Sequence, residues 1–285
     1  MNPVPPALAA AAALAVAAGA QAAVADGSIT PAEYGTALAV QDTPTGFGNA
    51  IGGGQDSAGG SELDALYGAL ENGILSLGLT GNLEANYNKL WIFLDGVDGG
   101  EDVLAGDNLD GGFGEINNLA GLDIAGPPDH GLRFEVGDGF YGVNAFDLID
   151  NTAVSVWSGS GPGDLPVANL GSNGVTFGWN NANVLGVTTD SAAGATTATT
   201  GIEVAIDLAA FLGSVPDSVG VTAFISSGDA TFLSNQALPG IGGGGNLGSP
   251  SGKTLGSVTV AAVPEPASLT LLAAVGMLGL RRRPA

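Results

Sequence analysis

The stretch KLWIFLDG (89–96) is the tightest constraint on the fold. After Lys89, the five residues Leu90 to Leu94 carry apolar side chains at both odd and even positions before Asp95-Gly96 ends the run. A strand alternates its side chains between two faces, so this pattern needs a sheet that is covered on both sides. Similar short runs recur, each closed by Gly, Asn or Asp: GILSLGLTG, GLRFEVGDG, TAVSVWSG, GVTFGWNN, GIEVAIDL, GVTAFISSGDATFLS and KTLGSVTVAAV. That punctuation predicts an all-β, antiparallel sandwich or jelly roll over residues 26–262, as one domain. Two short helical turns are expected, around GSELDALYGAL with Ser61 as its cap, and at LAAFLG after Asp207. The Gly-rich and Thr-rich pieces at 51–60, 188–200 and 239–252 read as surface loops. The threonines of 188–200 have no repeated register.

Composition narrows the function classes. The chain of 285 residues has 28 acidic and 6 basic residues, for a formal charge of −22. Three of the basic residues are Arg281, Arg282 and Arg283, so the body keeps only Lys89, Arg133 and Lys253. Such a body repels phosphate backbones, which argues against nucleic-acid partners. Lys89 and Arg133 are expected to pair with neighbouring acids. There is no cysteine, which excludes disulfides, thiolate metal sites and cysteine nucleophiles.

Both ends read as targeting segments. Residues 1–25 hold an Ala/Leu/Val run from Ala7 to Ala18, then Ala-x-Ala patterns, as in a secretory signal peptide. At the other end, Ala267 to Leu280 is apolar. A helix of that length rises about 21 Å, short of the roughly 30 Å hydrocarbon core. A transient membrane contact fits it better than a permanent anchor, with the arginines held on the cytoplasmic side. The order Val263-Pro264-Glu265-Pro266-Ala267-Ser268, apolar helix, Arg281-Arg282-Arg283 resembles a PEP-CTERM sorting signal over residues 263–285. That resemblance implies an exosortase substrate, exported by a Gram-negative bacterium that makes exopolysaccharide. Pro264, Glu265 and Pro266 would be the recognised motif.

In the body, DGSITPAEYGTAL, NYNKLWIFLDGVDGG, GIEVAIDLAAFLG and TFLSNQALPG are loosely similar to the sandwich domains of family 9 carbohydrate-binding modules. An early DG…EY segment, a central LWIFLD-type strand and a late G-x-E-V-A-I-D-L strand carry the likeness. It implies a binding module.

Candidate sites follow from residue chemistry. The loop LDGVDGGEDVLAGDNLDGG sets Asp95, Asp98, Glu101, Asp102, Asp107 and Asp110 among flexible turns, the oxygen-rich supply that Ca²⁺ uses. The spacing is not that of an EF-hand, and a solvated acidic loop is the other reading. Trp157 and Trp179 sit beside polar, Gly-rich stretches where an indole face could stack on a sugar ring. Trp91 reads as core. His130, the one histidine, lies in PPDHGLRF and reads as a surface residue without a G-x-S-x-G partner. The expectation is an exported cell-surface or matrix protein without enzymatic activity that contacts extracellular polysaccharide. The alternatives are a structural matrix protein with no ligand and a secreted hydrolase.

Overall fold

A computed structural model describes residues 24–47, 60–112, 114–161, 165–187 and 192–263. The expected signal helix and the sorting tail with Pro264, Glu265, Pro266 and the three arginines fall outside the described residues. Among the described residues, no helix is long and apolar enough to cross a membrane.

The described chain is built mainly of antiparallel strands. In order these are β1 (Ala39–Val40), β2 (Glu62–Glu71), β3 (Ile74–Asn82), β4 (Lys89–Asp95), β5 (Asp123–Ile124), β6 (His130–Gly137), β7 (Phe140–Asp147) and β8 (Thr152–Gly159). They continue with β9 (Val167–Ser172), β10 (Val175–Trp179), β11 (Gly201–Asp207), β12 (Ser218–Ser226), β13 (Leu233–Leu238), β14 (Thr254–Leu255) and β15 (Val258–Ala261). Short helices are α1 (Pro31–Tyr34), α2 (Ala192–Ala195) and α3 (Leu208–Phe211), with a 3-10 turn at Glu115–Leu119. One sheet runs β1-β2-β3-β11-β10-β9. The facing sheet runs β13-β12-β4-β6-β7-β8, and β15 also pairs with β12. The small pair β14-β5 is parallel.

The two large sheets face each other across the main core. Leu75, Leu77 and Leu79 of β3 and Ile202, Val204 and Ile206 of β11 meet Leu90, Ile92 and Leu94 of β4 and Leu132 and Phe134 of β6. The other face of β4 is also buried. Trp91 and Phe93 pack with Phe146, Phe224, Leu104, Ile116, Leu119 and Leu122 in a second core. The segment between β4 and β6 folds back over its own sheet and supplies four of those residues. That explains why KLWIFLDG is apolar at odd and even positions. A third, smaller cluster of Ile29, Ala65 and Tyr67 lies under Tyr34, Ala37 and Val40, where the N-terminal segment covers the other sheet.

Turn chemistry sets two of the hairpins. Asn72-Gly73 joins β2 to β3 and Asn173-Gly174 joins β9 to β10. All four residues have positive φ, at 53°, 79°, 57° and 77°. Asn and Gly tolerate that region, and paired positive φ gives the tight hairpin whose twist suits the strands.

The stretch GSELDALYGAL is a strand, not the expected helix. The register between β2 and β3 shifts between Leu63 and Leu66. This bulge inserts one extra residue, so the core-facing leucines fall at 63, 66 and 70, a spacing that imitates a helical period. Ser61 does not cap a helix; its hydroxyl accepts hydrogen bonds from Glu84 N at 3.1 Å and Asn88 Nδ2 at 2.9 Å. The turn at LAAFLG is as expected: Asp207 caps α3 by accepting the N–H of Ala210 at 3.2 Å. GVTAFISSGDATFLS and KTLGSVTVAAV each divide into two strands. The 239–252 loop is less free than its glycines suggest, since Ile241 and Leu247 pack on the second core.

The covering segment is fixed to the sheet by buried charge. Arg133 Nη1 donates to Asp110 Oδ2 at 2.7 Å and Glu115 Oε2 at 2.8 Å, and its Nη2 donates to Glu135 Oε1 at 3.0 Å. Lys89 Nζ reaches Glu135 Oε2 at 2.5 Å and Glu115 Oε1 at 3.5 Å. Arg133, Lys89, Asp110 and Glu135 are all buried. Removing one member of a buried ionic cluster leaves the others desolvated and unpaired. Arg133→Ala is therefore expected to lower the unfolding free energy by about 3–5 kcal/mol in a urea titration. A loss below about 1 kcal/mol, typical of an exposed pair, would contradict the assignment.

Candidate functional site

At one end of the sandwich the two layers part and leave a groove of about 180 Å³. Its walls include His130 at the start of β6, Asp147 at the end of β7, Thr152 and Val154 of β8, Asn173 in the β9–β10 turn, and Phe211 of α3. Five separate pieces of chain meet there. The Asn173-Gly174 turn and the Asp207 cap of α3 bring two of them to the rim.

His130 is buried, not a surface residue. Its Nδ1 lies 2.8 Å from Asp129 Oδ1. Asp129 is itself fully buried, and its Oδ2 accepts the N–H groups of Gly96 and Val97, both at 2.6 Å. An acceptor at that position assigns the proton to Nδ1 and turns Nε2 the other way. Nε2 faces Asp147 Oδ2 at 3.4 Å. The Oδ1 atom of Asp147 accepts the N–H groups of Ile149 and Asp150, which fixes the carboxylate. Phe211 tilts against the imidazole with ring centroids 5.4 Å apart. The groove thus presents one carboxylate, one imidazole nitrogen, an amide, a hydroxyl and a phenyl ring.

The tryptophans separate. Trp179 is fully buried and packs edge-on against Phe134 and Tyr141, so it is core and unavailable for stacking. Its pairing opposite Ile202 in the sheet puts it on the inward face. Trp157 is 38 % exposed on the edge strand β8, where its indole N–H donates to the Tyr141 hydroxyl at 3.2 Å. Trp91 is core as expected, with its N–H donated to Ser226 Oγ at 2.8 Å.

The acidic loop does not converge. Asp110 is buried against Arg133, and it also accepts the N–H groups of Gly112, Gly114 and Ile116. Burial alone would raise its pKa, but Arg133 and those donors outweigh it and hold the carboxyl below its ordinary range. It is a structural anchor and leaves the candidate Ca²⁺ set. Glu101 Oε2 accepts from Ala105 N and Asn108 Nδ2. Asp98, Asp102 and Asp107 are exposed. Asp95 is half-buried, and burial together with Asp129, Asp102 and Asp98 raises its pKa. Among the described residues, no three of His, Asp and Glu gather so as to hold a metal ion.

Three buried acids went unnoticed in the sequence. Glu203 of β11 accepts the N–H groups of Asp26, Gly27 and Ser28 on Oε2 and the Tyr34 hydroxyl on Oε1. This ties the DGSITPAEY segment to GIEVAIDL. Glu62 accepts from Thr45 N, and Asp64 accepts from Asn183 Nδ2 and Val187 N. No cation partners them, so burial dominates: Glu62 is pushed up to about 10, Asp64 to about 8 and Glu203 to about 7. The signal was available in hindsight, as acids at positions of otherwise apolar strands.

No family model, curated protein or solved structure matches the chain.

The three raised carboxyls fix the sign of the pH dependence. Each stays protonated in the folded chain at pH values where the unfolded chain has already lost that proton. Their contribution is full below the ordinary carboxylate range and disappears as pH rises through about 7 to 10. Tm at pH 8 is expected to be at least about 5 °C below Tm at pH 5, by scanning calorimetry. The difference should shrink in Glu62→Gln. A Tm that rises over this interval would contradict the account.

Proposed function

We propose that the chain is an exported, exosortase-sorted β-sandwich of a Gram-negative cell surface or extracellular matrix, and that it binds polysaccharide in the groove beside His130. Export and sorting rest on the N-terminal apolar run and on Pro264-Glu265-Pro266 ahead of Arg281, Arg282 and Arg283. The exosortase and the export machinery are the partners this implies. The observation that carries the binding reading is the make-up of the groove. A sugar ring offers an apolar C–H face and a rim of hydroxyls. Phe211 and Val154 suit the face, and Asp147, Asn173 and Thr152 suit the rim. The volume is below the roughly 300–1,000 Å³ of drug-sized pockets and fits a single ring of a longer chain.

Binding without catalysis fits the acids present. Hydrolysis of a glycosidic bond by the common route needs two carboxyl groups on opposite sides of the bond. Asp147 is the one carboxylate among the described lining residues. A structural matrix protein with no ligand is the second reading, favoured by the burial of both Trp91 and Trp179.

Binding to a panel of bacterial extracellular polysaccharides, followed by calorimetry on any hit, tests the proposal. Phe211→Ala is expected to weaken the interaction at least about tenfold, consistent with loss of one well-placed ring. Asn173→Gly keeps the positive φ of the turn, removes the amide and should also weaken binding. Trp157→Ala should leave it unchanged. No binding to any glycan would favour the matrix reading. Loss in Trp157→Ala alone would move the site to the edge of β8.

A further inference from the structure

We infer that the glycan held in this groove carries a free, protonated amine, and that the ammonium sits between Asp147 Oδ2 and His130 Nε2. The inference rests on the reading of the groove as a polysaccharide site and names the class of sugar, a hexosamine without an N-acetyl group. It starts from what the groove offers a ligand. Asp129 takes the Nδ1 proton of His130 at 2.8 Å, so Nε2 carries a lone pair. That lone pair faces Asp147 Oδ2 at 3.4 Å. The Asp147 carboxylate is held in place, because its Oδ1 accepts the N–H groups of Ile149 and Asp150. Asn173 Nδ2 donates to Ser155 O and Ser172 Oγ, which leaves Oδ1 as the atom it offers a ligand. Three acceptors therefore meet the ligand. Among the described lining residues, the Thr152 hydroxyl is the one side chain left to donate.

Two acceptors this close are matched by a donor with several protons and a positive charge. An ammonium nitrogen about 2.8 Å from both would see them about 75° apart, against about 109° between its own N–H bonds, so each hydrogen bond bends only modestly. A hydroxyl has one proton to give and satisfies one of the two. Charge selects in the same sense. No Lys or Arg lines the groove among the described residues, and Lys89 and Arg133 are held in their buried cluster. A uronate, sulfate or phosphate would meet Asp147 without a cation to answer it, on a chain of formal charge −22. An N-acetyl group replaces the ammonium by a neutral amide with a single N–H. Phe211 lies against the imidazole with ring centroids 5.4 Å apart, so the ammonium and the apolar face of one sugar ring are met together.

The test is calorimetry at neutral pH in about 0.15 M salt, where diffuse attraction is screened beyond about 8 Å. The probes are glucosamine oligosaccharides, their N-acetylated counterparts and uronic-acid oligosaccharides of the same length. The amine form is expected to bind at least about tenfold tighter than the N-acetylated form, and the uronic-acid form weakest. Asp147→Asn keeps an oxygen for the Ile149 and Asp150 amides. It should weaken the amine form at least about tenfold and change the N-acetylated form little. Asp98→Asn in the exposed acidic loop should leave both unchanged. The chain has one histidine, so nitrogen NMR of its ring reads the tautomer directly, with the proton expected on Nδ1. A ring protonated on both nitrogens in the free protein overturns the inference. So does equal or tighter binding of the N-acetylated or uronic-acid form, a result that leaves the groove a polysaccharide site of another class. Equal losses in Asp98→Asn and Asp147→Asn overturn it in favour of diffuse surface charge. No binding of any oligosaccharide overturns this inference and the polysaccharide reading together. Binding of lysine oligopeptides alone, dependent on Asp147, overturns both and gives the ammonium site to a protein partner.

Discussion

The buried guanidinium of Arg133 is the interaction on which the rest of the structure depends. It sits on the outer face of β6, opposite Trp91 of β4, with its charge centre 6.0 Å from that indole ring. Three carboxylates, Asp110, Glu115 and Glu135, surround it and Lys89. Only three Lys or Arg residues, Lys89, Arg133 and Lys253, lie between residues 26 and 262, and two of them are placed in this cluster. A chain with 28 acids uses its few cations where desolvation would otherwise forbid carboxylates. Asp110 and Glu115 belong to the covering segment, while Glu135 and the two cations belong to the sheet. The cluster therefore holds that segment in register, and the second core of Trp91, Phe93, Phe146 and Phe224 fills in beside it.

Covering both faces of one sheet has a consequence at its end. The covering segment returns into β6 through Asp129 and His130, and Asp129 caps Gly96 and Val97 where that segment leaves β4. The same carboxylate therefore closes the entrance and exit of the segment and orients the imidazole at the groove. Structural and candidate functional roles meet at this one residue. On the opposite sheet, Glu203 plays the corresponding part by holding the N-terminal segment through three backbone N–H groups.

Much of the fold was legible in the sequence. KLWIFLDG showed its doubly covered strand, LAAFLG its helical turn after Asp207, and the scarcity of cations the pairing of Lys89 and Arg133. The β2 segment misled because one bulge shifted the inward leucines to 63, 66 and 70, and a bulge leaves no residue signature of its own. The site was much less legible. His130 looked like a turn residue because its two partners differ in sequence distance: Asp129 is adjacent, but Asp147 comes from the far end of the next strand. Trp179 looked available for stacking because Gly178 precedes it and Asn180 and Asn181 follow, yet its position opposite Ile202 points it inward. Asp110 looked like one more acid of a solvated loop, and only the sheet beneath it shows the arginine it answers. Local chemistry sets strands and turns, whereas a groove assembled from five pieces of chain is a property of tertiary register.

The central claim is that the buried charges make the covering segment part of the same cooperative unit as the sheet beneath it. Native-state hydrogen exchange of the Gly112, Gly114 and Ile116 amides, which donate to Asp110, reads this most directly. If the claim holds, these amides exchange with the same free energy as those of β4 and β6, by global unfolding. If they exchange fast while β4 and β6 remain protected, the segment opens on its own and the cluster does not bind it to the sheet.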